Sequence, residues 1–525
     1  MATTAGEGSS DVLRSERIAG GILPKVLNSF DMVVIFVAIV LFITNSAVAT
    51  SINGVPTSGA AYVYWILGFI TFLIPGAIVT GQLGLMFPGE GSIYVWTNKA
   101  FGAFLGFFAG FCAWWPGILV MIATGDVVVG FIQQLGVQIS PKLSLLSEPW
   151  QQGAVIIAVI AFSFALSVLR FRVTQNFVNI VFLAYGGAIL LIGLAGVLWL
   201  VSGHPSQTNF SLTAQHWLPN GSSASLYGLI ILALLGIEVP LNMGVEITHM
   251  RSITRYLLWG SVFVMVAYLI GTFGVQLAVP VADQPNPPAL AEAVQLGFGG
   301  AGRVLGIIVN LVIIGFFLFN TAVYNYSFGR LLFVSGLDRR MPTVMSKVNA
   351  NQVPWVAVLV QSIIAAVFTV VAFILMPYTL KAGFSASACP SQSVCLSTVV
   401  YDILQAAVTV IWCVSMVILF VDVIIIRYKY QEVFARIRLA PVWVFYVCAV
   451  VGAFATGYGV YVTFTNPWTG LISEQQWWLW IGGIGVISLI VGIILFFIGR
   501  ATVRRDVTDE QVIAEVTGGG TIATE

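Results

Sequence analysis

The feature that most limits what this chain can fold into is a succession of about twelve long apolar runs. They lie near residues 28–52, 59–86, 101–133, 152–169, 176–201, 225–248, 256–280, 303–333, 354–377, 400–427, 441–463 and 477–500. A helix crossing roughly 30 Å of hydrocarbon needs about 20 apolar residues, and each run approaches or exceeds that. The runs are continuous, whereas a membrane barrel strand alternates over about 10 residues. Composition agrees, with 58% hydrophobic residues and only 8% charged, against roughly a quarter charged in soluble domains. A net charge of +1 provides no basic field for nucleic acid. The sequence predicts an all-α polytopic membrane protein.

Counting Lys and Arg predicts the orientation. With the N-terminus placed in the cytoplasm, all but Lys142, Arg303 and Lys381 of the 22 basic residues fall on the cytoplasmic side. Such asymmetry is the positive-inside signature, and it predicts that both termini are cytoplasmic. No cleavable signal peptide is expected, because the first residues are polar and charged. The tails, 1–27 and 501–525, read as short flexible ends, and no linker or charge run marks off a soluble domain.

Two runs are interrupted. Span 1 is apolar from Met32 to Ile43 and then meets Thr44-Asn45-Ser46-Ala47-Val48-Ala49-Thr50-Ser51. Span 6 is apolar from Leu226 to Leu235 and then meets Gly236-Ile237-Glu238-Val239-Pro240. Proline removes a helix hydrogen bond and clashes with the preceding turn, so a break is expected near Gly236. Non-helical backbone at membrane depth is tolerated only against a cavity or other protein. One interrupted helix in each half of the chain points to a transporter binding site.

Four segments resemble the amino acid–polyamine–organocation superfamily of transporters. Phe87-Pro88-Gly89-Glu90-Gly91-Ser92-Ile93-Tyr94-Val95-Trp96, with Ala100-Phe101-Gly102, resembles the pattern after that family's second span. Gly236-Ile237-Glu238 resembles its glycine-aromatic-glutamate, and Glu246 with Arg251 and Ile253 its acidic and basic pair closing span 6. Arg330, Leu337-Asp338, Met341-Pro342, Asn349 and Pro354 resemble the loop after span 8. The resemblance implies a five-plus-five inverted repeat with helices 1 and 6 broken at midplane. The repeats would be 28–201 (spans 1–5) and 202–427 (outer loop and spans 6–10), with spans 11 and 12 at 428–500. It also implies that a substrate carboxylate meets span 1 around Thr44, Asn45, Ser46 and Ala47, and that its amine meets span 6 around Leu234, Leu235 and Gly236. Half-helix ends carry partial charges of the appropriate sign for both. The chain departs from the family by having no glycine at the span 1 break. Tyr185 stands where proton-coupled members often carry a lysine.

Ionisable groups deep in a span are functional candidates by default. Glu238 is the foremost for gating or coupling, as against a carboxylate that merely caps freed amides. Asp126 in span 3 is either functional or reaches the outer interface. Asp31, Asp402 and Asp422 read as interfacial. Asn320 and Thr321 either help hold a cation near span 1 or make interhelical hydrogen bonds. Trp114 and Trp115 read as packing residues more readily than as substrate contacts. Trp477, Trp478 and Trp480 fit an aromatic belt. Cys112, Cys413 and Cys448 read as small hydrophobes within spans, and Cys389 and Cys395 as an outer-loop disulfide. No metal-ligand spacing and no phosphate loop occurs, so neither enzyme nor ATPase is expected, and no cofactor.

These readings converge on a plasma-membrane secondary transporter for amino acids or related amines. Carboxylates without balancing cations in the core of spans 1, 3, 6 and 8 favour neutral or cationic substrates. The alternatives are an ion or small-solute channel, or a polyamine or organocation exchanger of the same fold.

Overall fold

The computed structural model describes residues 12–52, 55–140, 143–220, 223–379, 392–468, 471–502 and 508–518. Among the described residues, eleven helices are long and apolar enough to cross a membrane. They are span 2 (Ala60–Met86), span 3 (Ala103–Ile139), span 4 (Pro149–Ser167), span 5 (Phe171–Val201), span 6 (Ser225–Glu246), span 7 (Arg251–Ala278), span 8 (Gly299–Leu337), span 9 (Trp355–Thr379), span 10 (Asp402–Lys429), span 11 (Val442–Thr465) and span 12 (Glu474–Ala501). Span 1 makes the twelfth, and it is shorter because it breaks. Its first half is Ser29–Val40 and its second the single turn Asn45–Val48.

Both breaks fall where the sequence interrupts its apolar runs. Asn28 starts span 1 by accepting the amides of Phe30 and Asp31, while Asp31 accepts the Asn28 amide at 3.0 Å. The helix ends at Val40, and Leu41 leaves the helical region at φ −92°, ψ 87°. Span 6 is α-helical over Ser225–Leu234 and resumes as a 3₁₀ helix over Val239–Glu246, with Pro240 in its first turn. Between them Gly236 takes φ +101°, a left-handed conformation that only glycine adopts cheaply. A Cβ there would strike Ile39 and crowd the Trp412 ring at 3.4 Å.

The freed backbone groups are satisfied by tyrosines from neighbouring spans. The Tyr268 hydroxyl of span 7 lies 2.9 Å from the Val40 and Ala233 carbonyls and accepts the Phe42 amide at 3.0 Å. One hydroxyl thereby ties the span 1 break to the span 6 break. Tyr324 of span 8 donates to the Ile39 carbonyl at 2.5 Å. Stacking on Trp65, with centroids 4.2 Å apart, holds the Tyr268 ring.

The described parts of the two tails, 12–27 and 508–518, are not flexible ends. Arg14–Ile22 and Asp509–Thr517 are helices that pack together at one end of the bundle, hereafter the terminal end. Arg14 and Arg17 pair with Asp509 at 2.9 and 3.0 Å, Arg339 pairs with Glu515 at 2.8 Å, and Val512 and Val516 are buried. These amphipathic segments were legible as polar, but not as having an apolar side with a surface to cover. Three interfacial readings also change. Trp477 is buried and donates to the Thr463 carbonyl at 2.9 Å, so only Trp478 and Trp480 of that trio are exposed. Asp422 is buried and accepts from Thr97 at 2.6 Å. Asp31, also buried, pairs with Arg172 at 2.5 Å and accepts from Asn179 at 2.7 Å. The expected Cys389–Cys395 disulfide lies outside the described residues, whereas Cys112, Cys413 and Cys448 are free and buried.

Candidate functional site

At the end opposite the tails a cavity of about 840 Å³ enters the bundle. Spans 3 and 6, the start of span 10 and the segment between spans 7 and 8 form its walls. Its inner limit is the span 1 break, where Thr44 and Asn45 reach the lining. Asn45 also lines a smaller chamber of about 30 Å³ beneath, together with Ile39, Leu235, Tyr324, Gln405 and Trp412. The chamber lies between the two broken helices.

Four carboxylates line the larger cavity: Asp126, Asp283, Glu292 and Asp402. Among the described residues, no Lys or Arg lines it. Asp126 and Asp402 lie close enough to feel each other's charge. Burial, followed by the charge of Asp283, lifts the Glu292 carboxyl above its ordinary range. Asp402, which read as unremarkable, therefore belongs to the wall beside Asp126. Asp283 and Glu292 escaped notice because they sit in an outer segment that only the fold brings over the span 1 break.

The remaining candidates divide around this space. The amides of Asn45, Ser46 and Ala47 already donate within their own turn, to Phe42, Ile43 and Thr44. Thr44 and Asn45 are the polar residues of the span 1 break on the cavity lining, while Ser46 donates to the Tyr268 carbonyl and Ala47 is buried. In span 6 the chamber is lined by Leu232, Ala233 and Leu235; Leu234 and Gly236 stand behind it. Glu238 is one layer deeper, 1% exposed, and accepts the Trp412 indole N–H at 2.9 Å. Its second carboxyl oxygen has no hydrogen-bond partner. Trp412 thus links a buried carboxyl to the chamber wall. Nothing in the local pattern of span 10 marks it, because a tryptophan in an apolar run reads as packing.

Tyr185 is buried, stacks on Phe316 with centroids 3.6 Å apart, and its hydroxyl faces the Ile43 backbone without reaching hydrogen-bonding geometry. Thr321 bonds Thr124 at 2.7 Å, the interhelical role foreseen as one of its two readings. Asn320 is buried with neither amide atom paired. Trp114 donates to Gln361 at 3.2 Å and Trp115 to Ser488 at 3.0 Å, and neither is among the residues lining the cavity or the chamber. Among the described residues, no group of His, Cys, Asp and Glu is arranged to hold a metal.

The terminal end is closed. Val26 and Leu27 donate to the Glu246 carbonyl, both at 2.9 Å, and Ser92 bonds Asn242 at 2.6 Å. Gly244 lets span 6 press against the loop after span 2, since a Cβ there would lie 2.5 Å from the Gly89 carbonyl. Glu246 pairs with Arg330 of span 8, two guanidinium nitrogens lying 2.9 Å from Oε1. Arg251 is exposed at the start of span 7.

A family model described as amino acid permease matches residues 27–501. The chain is 25% identical over 370 residues to an uncharacterized transporter of Legionella pneumophila, covering 67% of this chain and 74% of that one. It is 24% identical over 350 residues to a probable agmatine/putrescine antiporter of Lactococcus lactis, covering 65% and 71%. Among solved structures, it resembles a manganese transporter of Eremococcus coleocola with a TM-score of 0.54 and 12% identity, over 95% of this chain and 96% of that one. This last likeness is one of fold.

Proposed function

The chain belongs to the amino acid permease family, and from that premise we propose that it carries neutral or cationic amino acids or related amines across the plasma membrane by alternating access. It is a secondary transporter and not an enzyme. The observation that carries the substrate reading is the cavity wall, which among the described residues has four carboxylates and no Lys or Arg. Each like-charge pair at about 4 Å costs from about 1 kcal/mol in water to about 4 kcal/mol at an effective dielectric of 20. An acidic solute meets that repulsion several times over, and an ammonium group meets attraction of the same origin. The printed name of the Lactococcus lactis relative, an agmatine/putrescine antiporter, supports the amine end of this range. A cavity open at one end and packed at the other supports alternating access. With 19 of 22 basic residues on the side of the tails, the packed end is the cytoplasmic one in this reading.

The test is the double substitution Asp126→Asn and Asp402→Asn, assayed by uptake into proteoliposomes. Removing two charges from the wall should weaken apparent affinity for a cationic amine by about tenfold, a change of about 1.4 kcal/mol. Affinity for a neutral amino acid should move by less than about twofold. Equal losses for both substrates, or none for either, would contradict the assignment.

A further inference from the structure

Glu90, Glu246 and Arg330 form a cluster at the closed terminal end in which all three side chains are fully buried. Glu246 Oε1 accepts from Arg330 Nε at 2.9 Å and lies 2.9 Å from its Nη2, while Arg330 Nε stands 3.8 Å from Glu90 Oε1. Glu90 Oε2 accepts the Val245 amide at 3.2 Å. That leaves Glu90 Oε1 and Glu246 Oε2, two fully buried carboxyl oxygens, without a donor from any other group. The two carboxyls are close enough to share a hydrogen bond.

Two acceptors facing each other make no hydrogen bond unless one carries a proton. The charge count says the same, since one guanidinium neutralises one carboxylate and a second buried anion would stand uncompensated. We propose that Glu90 and Glu246 share a single proton, held by Glu90, which is bound while the terminal end is closed and released to water on that side when it opens. Burial first, then the Glu246 charge, pushes the Glu90 carboxyl well above the usual range, in keeping with this assignment. In the exchange the O–H bond of Glu90 breaks, water accepts the proton, and the carboxylate left behind is hydrated. On closure the same proton returns from the same side. Neither residue lines the cavity at the other end, so the pair senses pH in the terminal-end compartment and does not drive substrate through.

Other titratable groups near the pair are already engaged. Tyr326 of span 8 donates to Gln175 at 2.8 Å, Arg172 of span 5 pairs with Asp31 of span 1, and Lys99 pairs with Glu16 at 2.9 Å. The ring of Phe171 covers Arg330 at 5.3 Å. His249, exposed three residues beyond Glu246, is the group most apt to mimic the effect, so a His249→Gln control belongs in the test.

The sign follows from linkage. The closed form binds one proton more than the open form, so closure is fully favoured at low pH and lost as pH rises through the closed-state pKa of Glu90. Between the closed-state and open-state pKa values the open-to-closed ratio should rise about tenfold per pH unit. Glu90→Gln replaces the shared proton with an amide N–H, keeps an acceptor for the Val245 amide, and should leave closure intact but indifferent to pH.

Two readouts decide it, and neither requires a transported substrate, so their outcome is separable from that of the substrate reading. Infrared difference spectra should show a protonated carboxyl at neutral pH that disappears in both Glu90→Gln and Glu246→Gln. Alternating access enters in the second readout, alkylation of Met243→Cys, a buried position in the terminal half of span 6. Dividing its rate by that of the same reporter with Glu90→Gln removes the intrinsic pH dependence of the thiol. That ratio should climb by up to tenfold per unit within the range of about pH 5 to about pH 9, with or without His249→Gln. A missing carboxyl signal, or a flat ratio, overturns the proposal.

Discussion

Glu238 and Tyr268 show how differently two buried polar residues announce themselves. Glu238 was legible because a carboxylate beside a glycine and a proline in an apolar run has few structural excuses. Its partner Trp412 was not legible, being 174 positions away. Glu238→Gln retains a carbonyl oxygen for the Trp412 N–H but cannot ionise. We expect uptake by this variant to fall at least tenfold or to lose its dependence on pH, with thermal stability in detergent changed by less than about 1 kcal/mol. Transport and pH profile both unchanged would remove Glu238 from the mechanism. Tyr268 reads in sequence as one more aromatic of span 7, and only its position opposite both breaks makes its hydroxyl significant. Tyr268→Phe keeps the stack on Trp65 and strips the donor from the Val40 and Ala233 carbonyls. Leaving such groups unpaired should cost about 1–3 kcal/mol, read as a lowered unfolding midpoint with reduced uptake. A midpoint equal to that of the unmodified protein would show that water or a relaxed backbone takes over the role.

Among the elements, the spans themselves were the most legible part of the chain, because about 20 consecutive apolar residues have few other uses. Both breaks were legible too. Span 6 showed its break through Gly236 and Pro240, and span 1 through the polar run from Thr44 to Thr50 together with the family resemblance, since no glycine or proline marks it. What periodicity could not convey was which side chains cross between elements, and so the Arg330–Glu246 pair was not legible. The tail helices were missed for a related reason: a nine-residue helix such as Asp509–Thr517 is marginal alone and forms here because Val512 and Val516 find an apolar surface. Burying two valines contributes about 3 kcal/mol or somewhat more, while the partly exposed ion pairs to Asp509 and Glu515 add at most about 1 kcal/mol each. Deleting residues 508–525 should therefore leave insertion intact but speed amide exchange across 338–353, the segment that receives this helix, by about tenfold or more. Unaltered exchange there would mean that the tail rests on the bundle without supporting it.

At the scale of the whole molecule, one end is sealed by packed helices and a buried Glu90–Arg330–Glu246 cluster, and the other opens through a carboxylate-lined cavity to the two helix breaks. The cavity's position near span 1 was expected from the broken helices, but its charge was only half visible. Asp126 stood out at depth, whereas Asp283, Glu292 and Asp402 acquire their meaning from folding over the same space. The asymmetry of sealed and open ends suits a carrier that exposes its site to one side at a time, and the wall suits an amine. Both statements meet in a single measurement. Purified protein in liposomes loaded with an unlabelled cationic amine should accumulate the labelled form of that amine by counterflow, saturably, and a panel of competitors added outside should rank cationic amines and amino acids first, neutral amino acids next, and glutamate and aspartate last. Absence of counterflow, or tightest competition by glutamate, would contradict the account.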